Sequence, residues 1–144
     1  MTGSEINFVV KDSIEALTLY KLIFADLEVV EATNFEKGKN EAVFNIYNGR
    51  YHMLDENPEY QLLAPREGHQ NTIWFNIFLV ADIQLVFSRA LENGCTKIQD
   101  INHMEAMGAS NAMFVDPFGY VWLLHEIHQV VSFDERVEHL TKDQ

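Results

Sequence analysis

Trp74, Asn76 and Phe78 stand two residues apart within Thr72–Ala81, a stretch dense in aromatic and β-branched residues. If that stretch is extended, the three side chains share one face. An amide set between two aromatic rings is the composition of a small-molecule wall, apolar with a polar anchor. His125 and His52 are the side chains suited to complete such a site, as hydrogen-bond partners or as general acid and base, because imidazole changes charge near neutral pH. The opposing reading is plain core, with Trp74 and Phe78 packed inside and Asn76 bonded to backbone. The six histidines (His52, His69, His103, His125, His128 and His139) include no i,i+4 pair for a helix and no i,i+2 pair for a strand. Local spacing therefore supplies no two-histidine metal site, and His125 and His128, three apart, would face opposite sides of an extended chain. Cys95 is the sole cysteine and its first basic neighbour is Lys97, so a nucleophile there has no support. The seven glycines are scattered at turns, which leaves no phosphate-cradling loop. His103–Ser110, with Met104 and Met107, shows no period and reads either as a flexible lip over a cavity or as ordinary loop packing.

The elements that must position these residues come in two similar sets. Glu5–Lys11 is a strand by composition, and Asp12-Ser-Ile-Glu15 is a capping box that opens a helix to about Ala25. Its inward stripe is expected at Ile14, Leu17, Phe24 and nearby Leu and Tyr residues. A strand over Leu27–Phe35 and a polar turn at Glu36–Asn40 follow. Asn48-Gly49 is the preferred pair for a two-residue type I′ hairpin, with arms at about Ala42–Tyr47 and Arg50–Asp55. Asn57–Gln70 holds two of the three prolines and reads as a connection. The order then repeats: a strand over Thr72–Ala81 and a helix capped by Asp82. Ile83, Val86, Phe87, Ala90 and Leu91 fall on one face of that helix, and Gly94 stands at its left-handed stop. Strands follow near Thr96–Ile101, Ala112–Val115 and Tyr120–Ile127, the last expected to be buried on both faces. The two caps lie 82 − 12 = 70 residues apart, close to half of the 144-residue chain. Ser132-Phe-Asp-Glu135 is a further capping box for a terminal helix.

Asp116-Pro117-Phe118-Gly119 has the residues of a type I turn, with Asp at i bonding the backbone that follows, Pro at i+1 and Gly at i+3. With Trp122 soon after, this hairpin resembles the closing hairpin of the vicinal oxygen chelate superfamily, which covers glyoxalase I, bleomycin-resistance proteins and ring-cleaving dioxygenases. It looks most like the branch known as 3-demethylubiquinone methyltransferase-like. The resemblance implies an α+β fold of two βαβββ modules forming a curved, incomplete mixed β-barrel with flanking helices and a short C-terminal helix. The modules would span about 5–56 and 71–127, joined by a linker at 57–70 and followed by a helix at 132–142. A ferredoxin-like α+β domain shares much of this order and is the structural alternative.

Superfamily members that use metal place inward His or Glu residues on the first and last strands of the modules, at about 2.0–2.2 Å from the ion. Carried over residue by residue, the first position falls at Glu5 and the position after the linker at Phe75 or Asn76. The last-strand position, four beyond the turn glycine, falls at Leu123, with His125 two further on the same face. On the Arg50–Asp55 strand the match is His52, Asp55 or Glu56. The expectation is therefore a small-molecule binder without an intact glyoxalase metal centre and with no cofactor. A divalent-metal lyase, isomerase or dioxygenase built on Glu5, Glu56 and His125 is the alternative, and a structural protein with a filled cavity is the third reading. The resemblance also implies a homodimer.

The charge of −12, from 22 acidic and 10 basic residues, disfavours nucleic acid and anionic membranes and accommodates a cationic or aromatic ligand. No apolar run reaches a membrane span, no signal peptide is evident, and one cysteine suits a reducing compartment, so a cytoplasmic protein is expected.

Overall fold

The computed structural model describes residues 2–69, 71–80 and 82–142. The chain divides into two compact units, Met1–Thr72 with Pro117–Tyr120 and Ile73–Asp116 with Val121–Gln144. The first carries β1 (Ile6–Val10), α1 (Ser13–Ile23), β2 (Glu28–Ala32), β3 (Glu41–Ile46) and β4 (Gly49–Asp55). The second carries β5 (Trp74–Leu79), α2 (Ile83–Glu92), β6 (Thr96–Met104), β7 (Ala109–Val115), β8 (Val121–Ile127) and α3 (Phe133–Lys142). Each unit holds one mixed four-stranded sheet, β1-β4-β3-β2 and β5-β8-β7-β6, with one parallel pair and two antiparallel pairs. This is βαβββ twice, as the sequence implies. Ala81, the expected end of β5, and Gln70, the expected end of the linker, lie outside the described residues.

The helix caps form where the sequence places them. Asp12 accepts from the Glu15 amide at 3.0 Å, Asp82 from the Gln84 amide at 3.0 Å, and Ser132 from the Glu135 amide at 3.2 Å. Such caps satisfy amides that have no partner inside the helix. The inward face of α1 includes Phe24, Leu19 and Tyr20 as expected, with Leu17 half-buried; Ile14 is the correction, being exposed while Ser13, Ala16 and Ile23 are buried. The turn decides it, because Ser13 donates its amide to Asp55 Oδ1 at 2.7 Å and small Ala16 faces inward. The ring cluster of Phe8, Tyr20, Phe44, Tyr51 and Tyr120 fills this core, and Tyr120 donates to the Val9 carbonyl at 2.7 Å.

The β3–β4 hairpin turns one residue earlier than expected. Ile46 pairs with Gly49, so Tyr47 and Asn48 form the turn, with Tyr47 at a φ of 52°. Gly49 does not have a positive φ, and a Cβ there would lie 3.1 Å from the Tyr51 ring, a tighter approach than ordinary van der Waals contact. Phe44 stacks on Tyr51 across this register, and that buried pair outweighs the local preference of Asn-Gly. The stretch 103–110 is likewise not irregular. It is the end of β6, a single 3-10 turn over Glu105–Met107, a left-handed Gly108 and the start of β7. β8 is buried on one face only, at Trp122 and Leu124, while Val121, Leu123 and His125 are half-buried. Asp116 does more than start its turn, because its buried carboxylate accepts from the Trp122 indole at 2.8 Å.

Candidate functional site

Strict alternation in β5 gives the second unit two different faces. Phe75, Ile77 and Leu79 are buried, while Trp74 and Phe78 on the other face are 50% and 58% exposed, with Asn76 exposed between them. The plain-core reading of Trp74 and Phe78 fails on this exposure. The register sets Asn76 beside Leu123 and Phe78 beside His125, and it continues to Met113 and Asn111 on β7. Phe78 and His125 stack with centroids 4.9 Å apart and planes 15° from parallel. Burial pushes the His125 imidazole below its ordinary pKa, so it is held toward the neutral form. Neutral imidazole both donates and accepts, which suits a hydrogen-bonding or proton-transfer role. Nearby, Gln99 donates its amide to Asn111 Oδ1 at 2.9 Å. The open face is thus an apolar wall with an imidazole and amides as anchors.

The open face of the first unit is charged. Glu5 Oε2 accepts from Arg50 Nε at 2.6 Å, and Glu5 Oε1 meets His52 Nδ1 at 3.2 Å. The Arg50 guanidinium, together with His52, holds the Glu5 carboxyl below its ordinary range. His52 Nε2 lies 3.7 Å from Glu41 Oε2 and is buried without a hydrogen-bond partner among the described residues. Pairing places Glu31 beside Val43 and Val43 beside His52, and Glu28 beside Asn45 and Asn45 beside Arg50. Glu5, Glu28, Glu31 and Glu41 therefore share this face with Arg50 and His52, with carboxylates in excess.

Within the first unit, Glu5 and His52 are brought together and Glu56 is not. Glu5 lies at the Arg50 end of β4, whereas Glu56 follows Asp55 at the other end and bonds Val10. Six residues of strand separate the two ends, about 20 Å at the usual rise. A metal held jointly by Glu5 and Glu56 is therefore corrected by the strand direction. Asp55, the third match considered on that strand, faces α1 and is locked by backbone amides. Among the described residues, no three His, Cys, Asp or Glu side chains stand together to hold a metal ion. Cys95 is buried, and burial together with the Asp116 charge pushes its thiol up to about 12, which rules out a ready nucleophile.

One cluster escaped the sequence. Ser110, 0% exposed, bonds His103 Nδ1 at 2.6 Å and His128 Nε2 at 2.8 Å, and Glu126 Oε2 lies 3.8 Å from His128 Nε2. His103 pairs with Ser110 across the β6–β7 hairpin, and Ser110 pairs with Glu126 on β8. The available signal was His103 and Ser110 flanking a turn, and it becomes readable once the hairpin register is known. As expected, His125 and His128 serve opposite faces of the sheet. A cavity of about 530 Å³ lies here, lined by His103, Met104, Glu105, Gly108, Ala109, His128 and Gln129.

Residues 4–124 match the model of the Glyoxalase/Bleomycin resistance protein/Dioxygenase superfamily. No curated protein matches the chain. Among solved structures, the fosfomycin resistance protein FosX from Listeria monocytogenes, complexed with Mn(II) and sulfate, is similar at 14% identity, with a TM-score of 0.64 over 95% of this chain and 98% of that one. TioX from Micromonospora sp. ML1 is 14% identical, with a TM-score of 0.61 over 91% of this chain and 100% of that one. The PhnB protein from Bacillus cereus is 13% identical, with a TM-score of 0.64 over 87% and 99%. At these identities the likeness is one of fold.

Proposed function

We propose a small-molecule-binding function for this chain, and the starting point is its family: the chain belongs to the Glyoxalase/Bleomycin resistance protein/Dioxygenase superfamily. The observation that carries the reading is the open face of β5 and β8. Trp74 and Phe78 are half-exposed there beside Asn76 and the stacked, near-neutral His125. Large aromatic side chains left uncovered together are costly in water unless something binds them. A flat or aromatic ligand packs on Trp74 and Phe78, with Asn76 and His125 as its polar anchors. The charge of −12 favours a ligand with cationic character. His125 is the residue proposed for proton transfer on this face if the ligand is turned over, and His52, steered by Glu5, is the candidate for that role on the first unit's own face. The same reading takes the protein as a cytoplasmic homodimer; no described helix is long and apolar enough to cross a membrane.

A FosX structure contains Mn(II), but the residues here do not fit a comparable centre. Glu5 is engaged by Arg50 and His52, Glu56 lies at the far end of β4, and Leu123 stands where a carboxylate is expected. No step is derived through a metal. Intrinsic fluorescence tests the binding reading, because Trp74 is half-exposed and Trp122 is fully buried. A panel of aromatic and cationic small molecules is expected to quench Trp74 saturably, with Trp74→Ala abolishing the associated rise in melting temperature. A panel that neither quenches Trp74 nor raises the melting temperature overturns the reading. Near-stoichiometric metal in the purified protein, with a melting shift lost in His125→Ala, would restore the metalloenzyme alternative.

A further inference from the structure

The strand β2 forms the edge of the first unit's sheet: it pairs with β3 on one side and, among the described residues, with no strand on the other. Every residue of β2 is exposed, Val29 and Val30 included. Its outer backbone is open as well. The Thr33 amide bonds the Glu41 carbonyl at 3.0 Å, and backbone groups alternate in direction along an antiparallel strand, so the N–H and C=O of Ala32 point away from β3. An unpaired edge of this kind is a template for one more strand.

The two faces of β2 differ in chemistry. Glu28 pairs with Asn45 and Glu31 with Val43, and Val43 and Asn45 stand on one face of β3, so the bulge at Val30 brings both glutamates onto a single face. Neither glutamate is in an ion pair among the described residues. On the other face Val29 pairs with Phe44 and Ala32 with Ala42, beside α1. That helix packs mainly on β3 and β4 and leaves a groove of about 210 Å³ against the end of β2, whose walls include Ile14, Leu17, Thr18, Lys21, Ala32 and Ala42. The four helix residues fall at i, i+3, i+4 and i+7, one stripe of α1. The groove is apolar at Ile14, Leu17 and the two alanines, and the Lys21 ammonium repels a cation there.

We propose that this edge docks an extended segment of a partner protein in which basic and apolar residues alternate. The segment adds as a strand beside β2, its backbone bonding the outward groups of Ala32. Alternation then sends its basic side chains to Glu28 and Glu31 and its apolar ones into the groove beside Ile14 and Leu17. A second copy of this chain is a poor occupant. Two β2 strands joined about a two-fold axis gather the Glu28 and Glu31 carboxylates of both copies on one face, and like charges set opposite each other destabilise pairing. The site lies on β2 and α1 of the first unit, apart from the Trp74 face, and stands without the reading given to that face.

The probe is an end-capped peptide of alternating lysine and valine, titrated at physiological salt into ¹⁵N-labelled protein while backbone amide signals are followed. The amides of Val30, Ala32 and the Ile14–Lys21 stripe should shift along one saturable curve. A peptide of the same composition with its lysines in one block should bind more weakly and without that pattern. Ala32→Pro removes the outward N–H at no cost to the β3 ladder and should weaken binding on the order of tenfold. Glu28→Lys with Glu31→Lys, both on the surface, should reverse the preference toward a peptide of alternating glutamate and valine, which keeps the test valid if the proline variant fails to fold. No saturable shift at β2, equal binding of the blocked peptide, or an unchanged preference in the lysine double variant overturns the proposal. Concentration-dependent shifts at β2 without peptide overturn it in favour of a second copy. The Trp74 fluorescence that tests the open face reports on neither β2 nor α1, so the two readings fail separately.

Discussion

Replacing Asp55 by asparagine removes a charge and almost nothing else, and the structure says how much that charge does. Asp55 is 2% exposed and accepts from three backbone amides, Ser13 at 2.7 Å on Oδ1 and Gly38 and Asn40 at 2.9 and 3.0 Å on Oδ2. It thereby ties the start of α1 to the Glu36–Asn40 turn. In its best orientation an asparagine keeps its oxygen on Gly38 and Asn40 and turns its NH₂ toward the Ser13 amide. One charge-assisted bond is lost, about 1.5–3 kcal/mol, and two buried donors face each other, about 1–3 kcal/mol more. The expected destabilisation is about 4 kcal/mol, a large share of the 5–15 kcal/mol typical of a domain. Burial by itself raises the Asp55 pKa, but the amides of Ser13 and Asn40, the Ser13 hydroxyl and the Gly38 amide outweigh it, and the net shift is downward. A carboxyl with a depressed folded pKa stabilises fully above its unfolded value, near 3.9, and loses that contribution as pH falls through the folded value. The gap between wild type and Asp55→Asn should therefore be constant from pH 7 to about 5 and shrink below about 4. Urea unfolding followed by far-ultraviolet circular dichroism at several pH values measures it. A gap under about 1 kcal/mol at pH 7, or one that widens toward acid, refutes the reasoning.

Two further outcomes follow from single contacts. The imidazole of His125, held below its ordinary pKa by burial, should titrate by NMR with a midpoint under about 6.5, and Phe78→Ala should raise it by uncovering the ring. Because the folded value is the lower one, the stability linked to His125 is present above the unfolded pKa and lost as pH falls through the folded value. Gly108→Ala places a Cβ 2.1 Å from the Gln129 carbonyl oxygen at a φ of +64°, which only a backbone shift relieves. Stability should fall by on the order of 2–4 kcal/mol, and proteolysis near Gln129 should accelerate.

The helices and strands were legible because their signals are local. Asp12, Asp82 and Ser132 cap the helices they precede, and Gly94 stops α2 at a φ of 96°. The alternation in Thr72–Ala81 correctly put Trp74, Asn76 and Phe78 on one face, and the open side of that face came only with the burial of Phe75, Ile77 and Leu79. Ile14 was misplaced because helical spacing alone does not say which apolar residue meets the sheet. The bond from the Ser13 amide to Asp55, 42 residues away, turns the helix so that Ile14 looks outward.

By itself the sequence determined the βαβββ repeat, the capped helices, the turn at Asp116–Gly119 and the surplus of acid, since each depends on neighbours within a few residues or on composition. Tertiary structure decided the register of Phe44 on Tyr51 and the grip of Glu5 on Arg50 and His52. It also separated Glu56 from Glu5 and gathered His103 and His128 around the Ser110 hydroxyl. These outcomes depend on which strands pair and in what register, and pairing energy comes from side chains distant in the chain.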